Sequence, residues 1–216
     1  MNPPYTRTKG RGSSAFDLTY ISDRERSLCQ KRWGNLIRNK PAEKTAGMAA
    51  SFLVLANQKL KFKRRMGFVL PITFCRADSW SKTRQMMELE FDEIIVIAPQ
   101  VGSALGKKAL SADTNLAEMM LVAKKKPTRH EIEQFKIQPN KSVRINCVTL
   151  HASIIEIGRA SIIANEVTRV CNDKYEYDTI VPIKVGNENV GVYMFLKEMA
   201  RVNLGIHLES IILKFL

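Results

Sequence analysis

The sequence predicts an α/β fold with a small α+β C-terminal appendage, and three observations predict it. Short runs of apolar and β-branched residues, such as Met66–Pro71 and Phe91–Ala98, read as strands buried on both faces. Amphipathic helical patterns alternate with those runs, which is the order of a parallel-type sheet flanked by helices. The 216 residues, 45% apolar and 25% charged, suffice for one globular domain or for a domain with an appendage.

Each element follows from local chemistry. Residues 6–42 are polar, basic and weakly periodic. Arg7, Lys9 and Arg11, with Gly10, Gly12, Ser13 and Ser14, form a basic loop. It reads either as solvated chain or as a flap that orders on phosphates. From Glu43 to Phe62 the pattern is helical, with Met48, Phe52, Leu55 and Leu60 on one face, widened by Leu53 and Ala56. Lys59, Lys61, Lys63, Arg64 and Arg65 close it, which suits the negative end of a helix dipole. Met66–Pro71 is then a buried strand. Asp78 or Ser79 is positioned to cap a helix carrying Trp80, Arg84, Met87 and Leu89. Phe91–Ala98 is a second strand, followed by a loop with Gly102 and Gly106. Ala117–Ala123 is a third strand, closed by Lys124, Lys125 and Lys126.

Beyond residue 126 the prolines Pro127 and Pro139 bound a polar linker, 127–142. A strand is expected at Val143–Leu150 and an amphipathic helix at Ser153–Val170. A hairpin is expected from Thr179–Val185 to Val190–Leu196 around Gly186-Asn187-Glu188-Asn189, and an apolar helical end at Ile206–Leu216. Residues 1–126 thus form one expected unit and 127–216 a second, for target recognition or for assembly.

Charge narrows the partner. Thirty-four basic residues against 21 acidic give +13 and a pI near 9.7, which favours a polyanion, most simply nucleic acid. No apolar run has transmembrane length and no signal segment opens the chain, so no membrane partner is expected. Cys29, Cys75, Cys147 and Cys171 form no CxxC pair and read as reduced packing thiols of a cytoplasmic protein. His130, His151 and His207 are scattered, so no metal site is expected.

The chemistry is concentrated in Asn2, Pro3, Pro4 and Tyr5. An aromatic amine is a poor nucleophile because its lone pair is delocalised into the ring. A side-chain amide oxygen (Asn2) and the adjacent backbone carbonyl (Pro3) can each accept one of its N–H bonds. That pulls the nitrogen toward tetrahedral geometry and localises the lone pair toward an incoming methyl group. The prolines fix φ and remove donors. Tyr5 offers a flat face on which an extruded base can stack.

This tetrad, the helix–strand phrase ASFLVLANQKLKFKRRMGFVLP at 50–71, and FDEIIVIA followed by SADTNLAEMMLVAKK at 111–125 together resemble adenine-specific DNA methyltransferases that use S-adenosyl-L-methionine. The resemblance covers roughly residues 1–126. It implies a partial Rossmann-like sheet made of the family's fifth, sixth and seventh strands, the seventh inserted antiparallel between the other two. It also implies DNA as partner, a restriction–modification setting, and catalytic roles for Asn2, Pro3, Pro4 and Tyr5. Arg7, Lys9 and Arg11 would contact substrate. Pro71 and Phe74 would line the cleft at the end of the fifth strand, unless Phe74 belongs to the core.

The sequence departs from that family in one respect. Its glycine-rich donor loop after a strand, with an acidic residue beyond, has no counterpart here. Gly10-Arg11-Gly12 lacks a preceding strand, Gly102–Gly106 follows the wrong strand, and IIEIGRAS at 154–161 has a single glycine. A fragment or one subunit of a split enzyme is therefore expected. Another polypeptide would carry the N-terminal half, the fifth strand would have an exposed edge, and the chain alone would bind the donor weakly. Two alternatives stay open. One is an amino-methyltransferase acting on an RNA guanine or a release-factor glutamine. The other is a non-catalytic basic nucleic-acid-binding or assembly subunit.

Overall fold

The computed structural model describes residues 41–42, 46–99, 118–137, 144–150, 157–173, 175 and 179–197, with Arg24, Glu25, Leu28, Lys31 and Asn35. Helix α1, Met48–Lys59, starts after Gly47, whose φ of 80° only glycine adopts readily. Its inward stripe is Ala50, Leu53, Val54 and Asn57, rotated from the stripe expected from the larger residues. Ala49 and Ser51, both small, are buried beside this stripe.

Strand β1 is Arg65–Pro71, with Met66, Phe68 and Leu70 buried and Arg65 and Gly67 exposed, the period-2 alternation of a strand. Two short 3-10 turns, Ile72–Cys75 and Asp78–Trp80, lead into α2, Ser81–Glu90. Neither Asp78 nor Ser79 caps α2, because the 3-10 turn runs directly into it and Trp80 occupies the N-cap position with no side-chain hydrogen bond. Strand β2 is Phe91–Pro99 and β3 is Glu118–Lys125. Helix α3, Arg129–Ile137, occupies the stretch expected as linker. Strand β4 is Arg144–Leu150, helix α4 is Ile157–Asn172, and β5, Ile180–Val185, turns into β6, Glu188–Lys197. The expected apolar end 206–216 lies outside the described residues.

The six strands form one mixed sheet in the order β1-β3-β2-β4-β6-β5. Strand β3 runs antiparallel to both neighbours, with Pro71 opposite Glu118 at one end and Arg65 opposite Lys124 at the other. β1 and β2 are therefore parallel, with an antiparallel strand between them, as the resemblance implied. β2 continues into β4 in parallel register, Glu93 beside Arg144 and Pro99 beside Leu150, so the sheet is continuous across residue 126. The β5–β6 hairpin closes on the two-residue turn Gly186-Asn187, with Gly186 at φ 60° supplying the left-handed first position. Among the described residues β1 and β5 are the outer strands. Pro182 lies on β5, where a missing donor is tolerated.

Two cores result. On one face α1 and α2 cover Phe68, Leu70, Phe91, Ile94, Met119 and Leu121, and Trp80 and Phe74 close it. On the other, α4 brings Ile163, Val167 and Val170 onto Val148, Leu150, Ile183 and Tyr193. Cys75, Cys147 and Cys171 form no disulfide and are buried in these cores, as packing thiols. No described helix is long and apolar enough to cross a membrane.

Candidate functional site

The ends of the strands define two different edges. The parallel strands β1, β2 and β4 finish together at Pro71, Pro99 and Leu150, with the start of β3 at Glu118 between the first two. In open α/β sheets the crevice outside the carboxyl ends is where ligands bind. Asn2, Pro3, Pro4, Tyr5, Arg7, Lys9 and Arg11 lie outside the described residues. Pro71 and Phe74 are described.

Pro71 ends β1 half-buried, and the chain turns immediately through Ile72–Cys75. Phe74 is fully buried and meets Trp80 edge-on, ring centroids 5.4 Å apart at 74°. Its side chain serves the core, the alternative that the sequence had left open. Its backbone matters more to the edge. Arg84, also buried, donates through Nη1 to the carbonyls of Phe74 at 2.8 Å and Ala77 at 2.9 Å. One guanidinium from α2 thereby fixes both turns that follow β1, and such charge-assisted bonds are the strong kind. Burial draws the Arg84 guanidinium below its ordinary value, opposed by Cys75, Asp78 and Glu88.

Cys75 lies on the turn that follows β1 at this edge, its Sγ 3.2 Å from Met119 Sδ. Burial pushes it up to about 12, against the pull of Arg84 and Arg76, so it is protonated at neutral pH and unsuited to nucleophilic attack. Glu118, the first residue of β3, is a wholly buried carboxylate at the same edge. At the start of α2, Thr83 Oγ1 donates to the Pro41 carbonyl at 2.8 Å. Pro41 therefore lies beside the first turn of α2, on the side of the carboxyl edge.

Sequence reasoning placed Arg84 on α2 without a role. Its spacing, four residues after Trp80 and three before Met87, put it on the buried face, and a buried arginine must find acceptors. Glu118 carried no signal. Among the described residues no group of three or more His, Cys, Asp or Glu side chains could hold a metal ion.

The described residues do not fit an S-adenosylmethionine loop. Gly47 starts α1, Gly67 and Gly191 lie within strands, Gly158 is on α4, and Gly186 makes the hairpin. None follows the end of a parallel strand.

No family model matches this chain, and no curated protein matches it. Among solved structures it is similar to an ATP-dependent Type ISP restriction-modification enzyme, LlaBIII, bound to DNA. That match has 16% identity and a TM-score of 0.44, and covers 69% of this chain and 10% of that one. A nuclease-deletion mutant of the Type ISP enzyme LlaGI in complex with a DNA substrate mimic matches at 16% identity and TM-score 0.42, covering 68% and 14%. A DrdV–DNA complex matches at 16% identity and TM-score 0.42, covering 84% and 17%. The chain thus spans between a tenth and about a sixth of the length of these structures.

Proposed function

We propose that this chain is the C-terminal portion of an adenine-specific DNA methyltransferase, acting as part of a longer or split enzyme. The observation that carries it is the Asn2-Pro3-Pro4-Tyr5 tetrad in a chain whose sheet places an antiparallel strand between two parallel ones. In this reading Asn2 and Pro3 accept the two N–H bonds of an extruded adenine amine, and Tyr5 stacks on the ring. Arg7, Lys9 and Arg11 contact the DNA backbone. S-adenosyl-L-methionine is bound by a polypeptide carrying the N-terminal half.

The test is transfer of a labelled methyl group to duplex DNA after that half is supplied. The wild-type assembly methylates adenine and the Asn2→Ala assembly does not. Equal methylation by both removes the tetrad from the mechanism. Tight one-to-one binding of S-adenosylmethionine to the chain alone contradicts a donor site elsewhere.

The lack of a fitting donor loop among the described residues favours a second reading, a non-catalytic basic subunit that binds nucleic acid or assembles with an enzyme. DNA binding that falls steeply with salt, with no methyl transfer in any assembly, selects it.

A further inference from the structure

The amino edge of the sheet, opposite the edge just described, carries the densest basic cluster among the described residues. Lys59, Lys61, Lys63, Arg64 and Arg65 lie within seven positions where α1 turns into β1, and all are exposed. Of these cations only Lys59 lies in the last turn of α1, where its charge suits the helix dipole. The carbonyls at that end are bonded by Lys125 from the end of β3, which is buried and donates through Nζ to Asn57 at 2.6 Å and Leu60 at 3.3 Å. Neighbouring carboxylates do not absorb the cluster either. Glu90 lies 3.6 Å from Lys125, Asp92 lies 3.9 Å from Lys124, and Glu93 lies 3.2 Å from Arg65. Each of these three acids is matched by its own cation. Lys59, Lys61, Lys63 and Arg64 have no ion-pair partner among the described residues.

The turn is also fixed in shape. Lys63 holds φ 63°, a conformation uncommon for a residue with a Cβ. Arg64 N–H donates to the Lys61 carbonyl at 3.3 Å, and Lys125 N–H to the Arg64 carbonyl at 2.9 Å. Phe62, 44% exposed, sits among the cations with its ring 5.6 Å from Lys125 Nζ.

We propose that the turn 59–65 is a contact surface for a nucleic-acid backbone, separate from the carboxyl edge. Unmatched, presented cations around an exposed aromatic ring suit phosphates flanked by sugars and bases better than carboxylates of an acidic protein. The chain's charge of +13 draws the same partner. Strand β1 spans about 23 Å at about 3.3 Å per residue, so this surface is a second point of attachment and stands whether or not the tetrad is catalytic.

The experiment titrates the full-length chain against a fluorescent DNA duplex of about two helical turns over a series of salt concentrations. One variant carries Lys61→Glu, Lys63→Glu and Arg64→Glu. A control carries the same charge change elsewhere, as Arg129→Glu, Lys136→Glu and Lys184→Glu. The turn variant loses about 2–3 from the slope of log affinity against log salt and binds about tenfold or more weakly near 0.1 M salt. The control keeps the wild-type slope. An unchanged slope in the turn variant, or an equal loss in both, overturns the proposal. Tighter binding of polyglutamate than of the duplex, abolished by the same reversal, overturns it in favour of an acidic protein. If the melting temperature shows that the glutamates disturb the fold, the set Lys61→Gln, Lys63→Gln and Arg64→Gln carries the same prediction at reduced size.

Discussion

Arg84 organises the carboxyl edge through two hydrogen bonds to carbonyls on the turns after β1. Replacing it with methionine keeps much of the volume and removes both bonds. Each buried carbonyl left without a donor costs about 1–3 kcal/mol, so the expected loss is about 2–6 kcal/mol by denaturant unfolding. Lysine, with one ammonium in place of a planar fork, recovers only part of this. Lys126 makes a different prediction. Its Nζ donates to the carbonyls of Glu88 at 3.0 Å and Leu89 at 2.6 Å, closing α2 as Lys125 closes α1. Burial lowers its value from 10.5 to about 8. Between those values the unfolded chain holds a proton that the folded chain has released, so this residue makes stability rise with pH from about 8. The buried Cys75 thiol acts in the opposite sense: raised from 9.0 to about 12, it makes stability fall once pH passes about 9. The Cys147 thiol, likewise raised by burial, adds to the fall, so unfolding free energy is expected to increase between pH 8 and 9 and then turn over, and Lys126→Met should flatten the first part. A wild-type profile that falls throughout that window would show that Lys126 stays charged in the fold.

At the scale of elements, α3 shows both what the sequence offered and what obscured it. Pro127 and Pro139 suggested a linker, yet Thr128 Oγ1 accepts the Glu131 N–H at 3.2 Å, the N-terminal half of a capping box. The signal was Thr128-Arg129-His130-Glu131, a threonine followed three residues later by glutamate. Thr128→Ala should cost about 1 kcal/mol, measurable as a lower melting temperature. Gly191 is less forgiving. A Cβ there would collide with the Thr149 carbonyl oxygen across the β4–β6 pair. Gly191→Ala is expected to destabilise the chain by more than about 2 kcal/mol, since backbone rather than a flexible side chain would have to yield. Strands and the hairpin were legible because alternation and turn residues are local signals. The inward stripe of α1 was not, because Asn57 faces inward to reach Glu90 Oε2 at 2.8 Å, a partner 33 residues away. Of the candidate site, Pro71 was legible as the end of a strand. The buried side chain of Phe74 and the role of Arg84 depend on a turn that periodicity does not describe.

At the scale of the molecule, β2 and β4 join the two sequence regions by seven paired positions, Glu93–Pro99 with Arg144–Leu150. Ile145 and Cys147 from β4 contribute to the same core as Phe68 and Trp80. The amides of β2, β4 and β6 should accordingly exchange with deuterium through one common opening, with closely similar free energies. Separate protection levels before and after residue 126 would show two independently unfolding units.

The far rim, β5, has its own consequence. Backbone ladders grow by donor meeting acceptor, and Pro182 lacks an amide hydrogen near the middle of that rim, with the ammonium of Lys184 two places on. A like neighbour approaching sideways meets a gap and a repelling charge. Fibrillar stacking through β5 is thereby disfavoured even in concentrated solution, and Pro182→Val together with Lys184→Val should restore it.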